Sequence, residues 1–167
     1  MKGLPRSLSR GSLNRQEIVK ARFAASTTLV VNGASGVGFG AIELGSLPQG
    51  NILLLGAVAY ITATEADAGV TDTWSGDFGL GTTVASDATL GGTDIDIIPS
   101  TAIGPAVSGA SPRTRSANAT QVMLDNTDGS LEINFSLLID DANISADDVD
   151  VTVAYEVILL YSVLGDD

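Results

Sequence analysis

Apolar and polar residues alternate along most of the chain after residue 24, which is the period of a β-strand. In the clearest run, residues 149–163, the odd-numbered positions carry Val, Leu or Tyr, whereas Asp150, Thr152 and Glu156 stand at even-numbered ones. At about 3.3 Å per residue, this run predicts a strand about 50 Å long. Such a strand either bends between two sheets or extends into a neighbouring subunit.

Two further runs predict long strands. Residues 131–139 alternate apolar and polar positions, and residues 51–62 are apolar on both faces. For the second run, the pattern assigns Leu54, Val58 and Tyr60 to one face and Leu53, Leu55, Ala57, Ala59 and Ile61 to the other. A strand that is apolar on both faces in an antiparallel protein is expected to be covered on one side by the core and on the other by a partner.

Shorter strands are predicted at residues 27–32, 37–44, 73–80, 94–98 and 120–124. With about eight strands, turns rich in Gly, Asp and Asn, and no helical pattern, the chain is predicted to be all-β: an antiparallel β-sandwich of jelly-roll type. Residues 81–92 and 99–119 are predicted to be long loops, because they consist mostly of small residues and are interrupted by Gly or Pro. Because long loops are uncommon in compact domains, we expect at least one of them to be ordered by another subunit.

Charge divides the chain into two parts, an extended basic N-terminal arm at residues 1–23 and a sandwich domain at residues 24–167. Residues 1–22 carry one acid and a net charge of +5, and residues 23–167 carry nineteen acids and a net charge of −17, in a chain of net charge −12. The bases of the arm are Lys2, Arg6, Arg10, Arg15, Lys20 and Arg22, and the body adds only Arg113 and Arg115.

We expect the six bases of the arm to contact acidic partner subunits, and the loop with Arg113 and Arg115 to make further contacts. Contact between the arm and DNA is the less favoured interpretation, because a body of net charge −17 repels nucleic acid. The arm is expected to be flexible in the free protein and to order on binding. Deletion of residues 1–22 should then weaken attachment and leave the fold intact.

The chain contains neither Cys nor His, which limits its chemistry. Serine–histidine–acid and cysteine–histidine catalysis are excluded within such a chain, and the commonest metal ligand is missing. An enzyme is therefore not expected, although a hydrolase that uses a pair of carboxylates facing one cleft stays open. We predict no catalytic residue, no metal site and no cofactor. The longest apolar run, residues 52–61, is about half of what a membrane-spanning helix needs, so no membrane contact is predicted.

Residues 28–45 (TLVVNGASGVGFGAIELG) resemble the coenzyme-binding turn of medium-chain reductases. A dinucleotide site needs its glycines in a G-x-G-x-x-G order at the start of a helix. Here the glycines stand at residues 33, 36, 38 and 40, and a helix would soon meet Pro48. We therefore interpret them as glycines at a bend or a bulge between strands.

Several Asp residues are grouped in ways that suit either calcium binding or turns. The groups are Asp94 with Asp96, Asp125 with Asp128, Asp140 with Asp141, and Asp147, Asp148 and Asp150. The turn interpretation is favoured, and a calcium site stays open. Aromatic residues make up 5% of the chain, and the single Trp74 is expected to pack in the core or against a loop.

Three features are similar to a family of small virion structural proteins of tailed bacteriophages. They are residues 76–101 (GDFGLGTTVASDATLGGTDIDIIPST), the following loop with Arg113 and Arg115, and residues 139–167 (IDDANISADDVDVTVAYEVILLYSVLGDD). The resemblance covers residues 25–167. It implies a β protein of the capsid exterior, such as a decoration (cement) protein or a subunit of a head appendage, and such proteins are commonly trimers.

The expected function is therefore that of a non-enzymatic virion structural protein at the capsid surface. As a homotrimer it would bind the major capsid protein, or other virion proteins, and stabilise the particle. The alternative is a head-fibre or tail-associated binding module that recognises a host glycan or protein.

Overall fold

The computed structural model describes residues 17–32, 38–67, 69–87, 89–140, 144 and 148–165. Within these residues the chain forms nine strands, a single 3₁₀ turn at Gly92–Asp94 and no α-helix. The strands are β1 (Val19–Asn32), β2 (Gly38–Ser46), β3 (Gly50–Glu65), β4 (Gly76–Gly81), β5 (Ile98–Ile103), β6 (Thr114–Asn118), β7 (Val122–Asn126), β8 (Glu132–Ile139) and β9 (Asp148–Gly165). Every pairing of these strands is antiparallel, so the predicted all-β antiparallel sandwich is confirmed.

The strands follow the order β5-β4-β8-β2-β1-β9-β3-β6, and β7 also pairs with β3. We call β1, β9, β3, β6 and β7 the front sheet, and β2, β8, β4 and β5 the back sheet. A single register pair, Asn32 with Phe39, joins β1 to β2. At the other end, side chains connect β5 to β6: the hydroxyl oxygens of Thr101 and Ser116 are 2.7 Å apart.

The core lies between the inner faces of the two sheets. The odd-numbered positions of β9 point inward as predicted, and Val151, Val153, Val157 and Leu159 are fully buried. The back sheet contributes the stacked rings of Phe78 and Phe135, with centroids 6.0 Å apart. Burying an aliphatic or aromatic side chain of this size stabilises the fold by roughly 1.5–3 kcal/mol.

Trp74 is fully buried, which confirms the prediction that it packs in the core. Its indole Nε1 donates a hydrogen bond of 2.9 Å to the carbonyl of Gly109. The same carbonyl accepts the backbone N–H of Glu65 at 3.0 Å. Trp74 thereby ties the segment between β5 and β6 to the end of β3.

The length of β9 is matched inside the molecule. β1 pairs with it from Asp148 to Tyr161, and β3 pairs with it from Val151 to Gly165. From Val151 to Tyr161, both edges of β9 are hydrogen-bonded to strands of the same chain. Pairing within the molecule thus accounts for most of its length, and extension of its ends into a neighbouring subunit stays a prediction.

A register shift in β3 corrects the predicted faces of that strand. The shift lies between Leu54 and Gly56 in the pairing with β9, and it places an extra residue in β3. Because side chains alternate with a period of two, one extra residue reverses which positions face inward. Leu54 is therefore buried with Ala59 and Ile61, and assigning it to the face of Val58 and Tyr60 was wrong.

The boundaries of several predicted elements also differ. β1 begins at Val19 rather than at residue 27, so the predicted end of the arm at residue 23 falls inside a strand. The strand predicted at residues 94–98 is wrong, because the 3₁₀ turn is followed by β5 at Ile98–Ile103. β6, at Thr114–Asn118, lies within the predicted loop of residues 99–119.

The outer face of the back sheet is covered by the chain itself. Residues 82–87 and 89–97 cross it, and the backbone N–H of Ala85 donates to Ser136 Oγ of β8 at 3.2 Å. Asp96 accepts the backbone N–H of Thr82 at 2.9 Å and its hydroxyl at 2.7 Å. Contacts within one molecule thus hold this segment, whereas a second subunit was expected to order one of the long loops.

No helix among these residues has the length and apolar character needed to cross a membrane.

Candidate docking face

The front sheet presents an outer face built from the even-numbered residues of β1 and β9. In register, Ala24 of β1 stands opposite Glu156 of β9, which stands opposite Tyr60 of β3. Tyr60 in turn stands opposite Arg115 of β6. Directly opposite residues of an antiparallel pair share a face, so Glu156, Tyr60 and Arg115 form one row across the sheet.

Glu156 brings together two groups of bases that are distant in the sequence. Its Oε1 lies 2.9 Å from Arg22 Nε of β1, and its Oε2 lies 3.5 Å from Arg113 Nη2, just before β6. The guanidinium carbon of Arg113 also lies 4.3 Å from the centroid of the Tyr60 ring, in a cation–π arrangement. One carboxylate and one aromatic ring therefore position both arginines.

We call Lys20, Arg22, Arg113 and Arg115 the basic corner. Lys20 stands opposite Leu160 and Arg22 opposite Ile158, on the outer face next to the row of Glu156. These four are all the Lys and Arg residues that the structure describes. The other bases of the chain are Lys2, Arg6, Arg10 and Arg15, which lie outside the described residues.

The basic corner keeps an excess of positive charge. Two of the four bases, Arg22 and Arg113, share one carboxylate, that of Glu156. Within the described part of the chain, neither Lys20 nor Arg115 makes an ion pair, and both are exposed. The acids Asp148 and Asp150 lie on the same face, at the opposite end of β9. The charge of the outer face therefore changes sign along β9.

Exposed apolar residues surround the basic corner. Leu160, opposite Lys20, is 42% exposed, Met123 of β7 is 56% exposed, and Ile18, directly before β1, is 66% exposed. Met123 stands opposite Leu53 of β3. Exposed apolar residues that are grouped, rather than scattered singly, are characteristic of interaction surfaces.

The eight predicted contact residues thus fall into three groups. Lys20 and Arg22 belong to strand β1 and not to a flexible arm. Arg113 and Arg115, predicted as a separate loop contact, lie beside them on the same face. The predicted contacts of Lys2, Arg6, Arg10 and Arg15 fall outside the described residues and stay predictions.

The sequence reasoning missed Glu156 and Tyr60, the residues that hold the arginines in place. Glu156 offers a weak signal, since it is the only acid from residue 151 to residue 165. Tyr60 was assigned to an apolar face, and its aromatic ring gives no indication of a cationic partner. Only the pairing of β9 with both β1 and β3 places Arg22 and Tyr60 on either side of one carboxylate.

One of the Asp groups, Asp125 with Asp128, forms turns. Asp125 accepts hydrogen bonds from the hydroxyl and backbone N–H of Thr127, which lower the pKa of its carboxyl. Asp128 accepts the backbone N–H and hydroxyl of Ser130, and these bonds likewise lower its pKa. The turn interpretation is therefore confirmed for this pair.

Asp96 is half-buried, and burial raises the pKa of its carboxyl although hydrogen bonds from Thr82 act in the opposite direction. No group of three acidic side chains within the described ranges is arranged to hold a metal ion. Asp141 and Asp147 lie outside those ranges, so the predicted alternatives for their groups stay untested.

In the described part of the glycine-rich motif, residues 28–32 and 38–45, the chain forms two strands and lacks the helix that a dinucleotide site requires. Gly38 and Gly40 belong to strand β2, whereas a nucleotide-binding turn leads into a helix whose N-terminus faces the phosphates. The favoured interpretation, glycines between two strands, agrees with the succession of β1 and β2. Gly33 and Gly36 lie outside the described residues.

Neither a protein family model nor a curated protein sequence matches this chain. Among solved structures, it is similar to a chain of the "Cyanophage Pam1 capsid asymmetric unit", with 18% identity and a TM-score of 0.41, over 88% of this chain and 85% of that one. It is also similar to a chain from "CBM4 structure and function", with 13% identity and a TM-score of 0.36, over 80% of this chain and 92% of that one. At such low identities and TM-scores, neither likeness indicates a function.

Proposed function

We propose that this chain is a non-enzymatic structural protein of a bacteriophage virion, a decoration or cement protein that binds the capsid exterior as a homo-oligomer and stabilises it. The observation that carries the proposal is the grouping of every described base on one face of an otherwise acidic sandwich, the outer face of the front sheet, around Glu156. The resemblance of residues 25–167 to small virion proteins supplies the class of assembly.

The outer face of the front sheet suits docking because it is already ordered. Its backbone hydrogen bonds are made within the sheet, from β1 through β9 to β3. A partner therefore meets a surface that loses little conformational entropy on binding. The bases supply charge complementarity, and Ile18, Met123 and Leu160 supply apolar area that is removed from water.

We also interpret the strand order as a jelly roll. Along the chain, β1 lies in the front sheet, β2 in the back, β3 in the front, β4 and β5 in the back, β6 and β7 in the front, β8 in the back and β9 in the front. The resulting orders, β1-β9-β3-β6 and β2-β8-β4-β5, interleave two Greek keys, as in double-sheet jelly rolls.

Purified particles of the phage that encodes this chain test the proposal. We expect mass spectrometry to detect the chain in the particles, and gold-labelled antibody to mark the capsid. Particles that lack the chain should lose their DNA at a lower temperature than complete particles. Labelling of the tail or of fibres would favour the binding module of the alternative prediction, and absence from the particles would overturn both.

A further inference from the structure

We propose that the basic corner is the surface through which one copy of this chain binds the acidic surface of a second copy. This inference rests on the oligomeric part of the proposed function and specifies the face and the charge that would carry it. The second copy is favoured over another acidic protein because each copy supplies both complementary surfaces, as the charges show.

Two copies of a chain with net charge −12 repel each other over most of their surfaces. From residue 23 to residue 112 the chain has no Lys or Arg at all. The basic corner is therefore the only described surface at which an acidic copy meets attraction instead of repulsion. Charge complementarity of this kind selects both the partner and its orientation.

Two of the four bases of the basic corner are held by an ion pair within the molecule, and the other two are available to a partner. Arg22 and Arg113 are oriented by Glu156, whereas Lys20 and Arg115 are exposed and have no ion pair with a described residue. Lys20 stands opposite the exposed Leu160, so charge and apolar area adjoin. A carboxylate of a second copy that reached Lys20 or Arg115 would gain a partner without breaking an existing ion pair.

The corner cannot bind a copy of itself, because four bases would face four bases. The contact therefore joins the corner of one copy to an acidic region of another, either reciprocally in a two-fold dimer or head to tail. A head-to-tail contact leaves one corner and one acidic surface free until the assembly closes into a ring. The predicted trimer is the head-to-tail case, and a two-fold dimer that places corner on corner is excluded.

Light scattering on the full-length chain tests the inference. At about 20 mM salt we expect the mass of an oligomer, at least two chains of 17.0 kDa each. At about 500 mM salt we expect the oligomer to dissociate in part, because salt screens exposed charges. The double variant Lys20→Gln, Arg115→Gln should weaken self-association at least tenfold. It removes two exposed charges and breaks no ion pair within the described residues.

A matched control variant distinguishes the loss of the two bases of the corner from the effect of a more negative net charge. Ser86→Glu with Ser100→Glu changes the net charge by the same amount at two exposed positions outside the front sheet, and we expect it to assemble like the unaltered chain. Circular dichroism should show that both variants are folded.

A monomeric unaltered chain, or a corner variant that assembles as well as the control, would overturn the inference. A monomeric chain would also remove the oligomeric part of the proposed function, whereas its capsid-binding part would survive either result if the chain is found on capsids. A corner variant that assembles normally but no longer binds capsids would assign the corner to the capsid protein instead.

Discussion

Glu65, the last residue of β3, carries a buried carboxylate oxygen, Oε2, that has no hydrogen-bond partner. Burial raises the pKa of this carboxyl, and the negative charges of Asp72 and Asp67 raise it further. Its side chain packs against Gly109, whose φ of +77° favours glycine. Glu65 is thus a residue at which the charged form is disfavoured by its surroundings.

Glu65→Gln is expected to stabilise the protein at pH 7 by about 0.5 kcal/mol, a magnitude typical of single charge interactions near the surface. Between the ordinary and the raised pKa, the folded state binds more protons than the unfolded state, so the wild type loses stability as the pH rises through this window. The advantage of the variant should therefore grow from about pH 4 to pH 7. Urea unfolding at several pH values measures it.

Glu132→Gln is the control for this experiment, because Glu132 is exposed at the start of β8 and its replacement removes the same charge. A gain at pH 7 in both variants would mean that relief of general acidic repulsion, and not the environment of Glu65, is responsible.

The segment that covers the back sheet depends on glycines in β4. Gly79 stands opposite Ser136, and a Cβ built on Gly79 would overlap Ile95 Cγ2. Gly79→Ala is expected to cost about 1–3 kcal/mol, as overpacking of a filled site does. Gly91→Ala is the control, since nothing lies within 4 Å of a Cβ there.

A double-mutant cycle with Ile95→Ala identifies the contact. If Ile95 causes the strain, Gly79→Ala should cost less in the Ile95→Ala background, and the coupling should exceed the roughly 0.5 kcal/mol scatter of independent sites. Additive effects would mean that the segment does not rest on β4 through this residue. Chemical denaturation of the four proteins provides the free energies.

The beginning of β1 changes what a deletion of the N-terminus should do. Residues 19–22 pair with residues 158–161 of β9, and Arg22 binds Glu156. Deletion of residues 1–22 is therefore expected to leave the protein about 1–3 kcal/mol less stable than deletion of residues 1–16, contrary to the expectation from sequence. Thermal unfolding of the two truncated proteins gives the comparison, and equal stabilities would show that the start of β1 contributes nothing.

Strands with one clean apolar face could be predicted from the sequence, and strands without one could not. β8 and β9 alternate regularly, and their predicted positions are confirmed. β6 has the sequence TRSAN, which contains only polar and small residues. It therefore lacks the alternation of apolar and polar residues that predicts a strand. The first half of β1 is mostly exposed and likewise lacks an apolar stripe.

At the scale of the whole molecule, the unequal distribution of charge was predictable, but the basic corner was not. The sequence shows that bases are rare after residue 22. It cannot show that Arg113 lies close to Arg22. Their proximity depends on the register in which β9 pairs with β1 and β3, and β1 and β9 are more than a hundred residues apart in the sequence. Register between distant strands is set by packing and not by any local pattern.

Salt should act on this molecule in two opposite ways. Within one copy, screening of the repulsion among its acids is expected to raise the free energy of unfolding by about 1 kcal/mol between low and high salt. Between copies, the same salt weakens the attraction of the basic corner. Urea unfolding at several salt concentrations measures the first effect without adding ionic strength of its own. A fall in stability with salt would show that ion pairs such as Arg22–Glu156 outweigh the repulsion.

The position of β9 sets the order of events when the protein is made. β9 is the last of the nine strands to be synthesised, yet it separates β1 from β3 and pairs with both. The pairings of β9 with β1 and β3 therefore cannot form until β9 has been synthesised, and the edges of β1 and β3 that face it stay without a partner until then. Because these pairings join opposite ends of the chain, folding is expected to be slow compared with proteins rich in local contacts. A nascent chain held before residue 148 should then be readily cleaved by protease and should need chaperones to stay soluble.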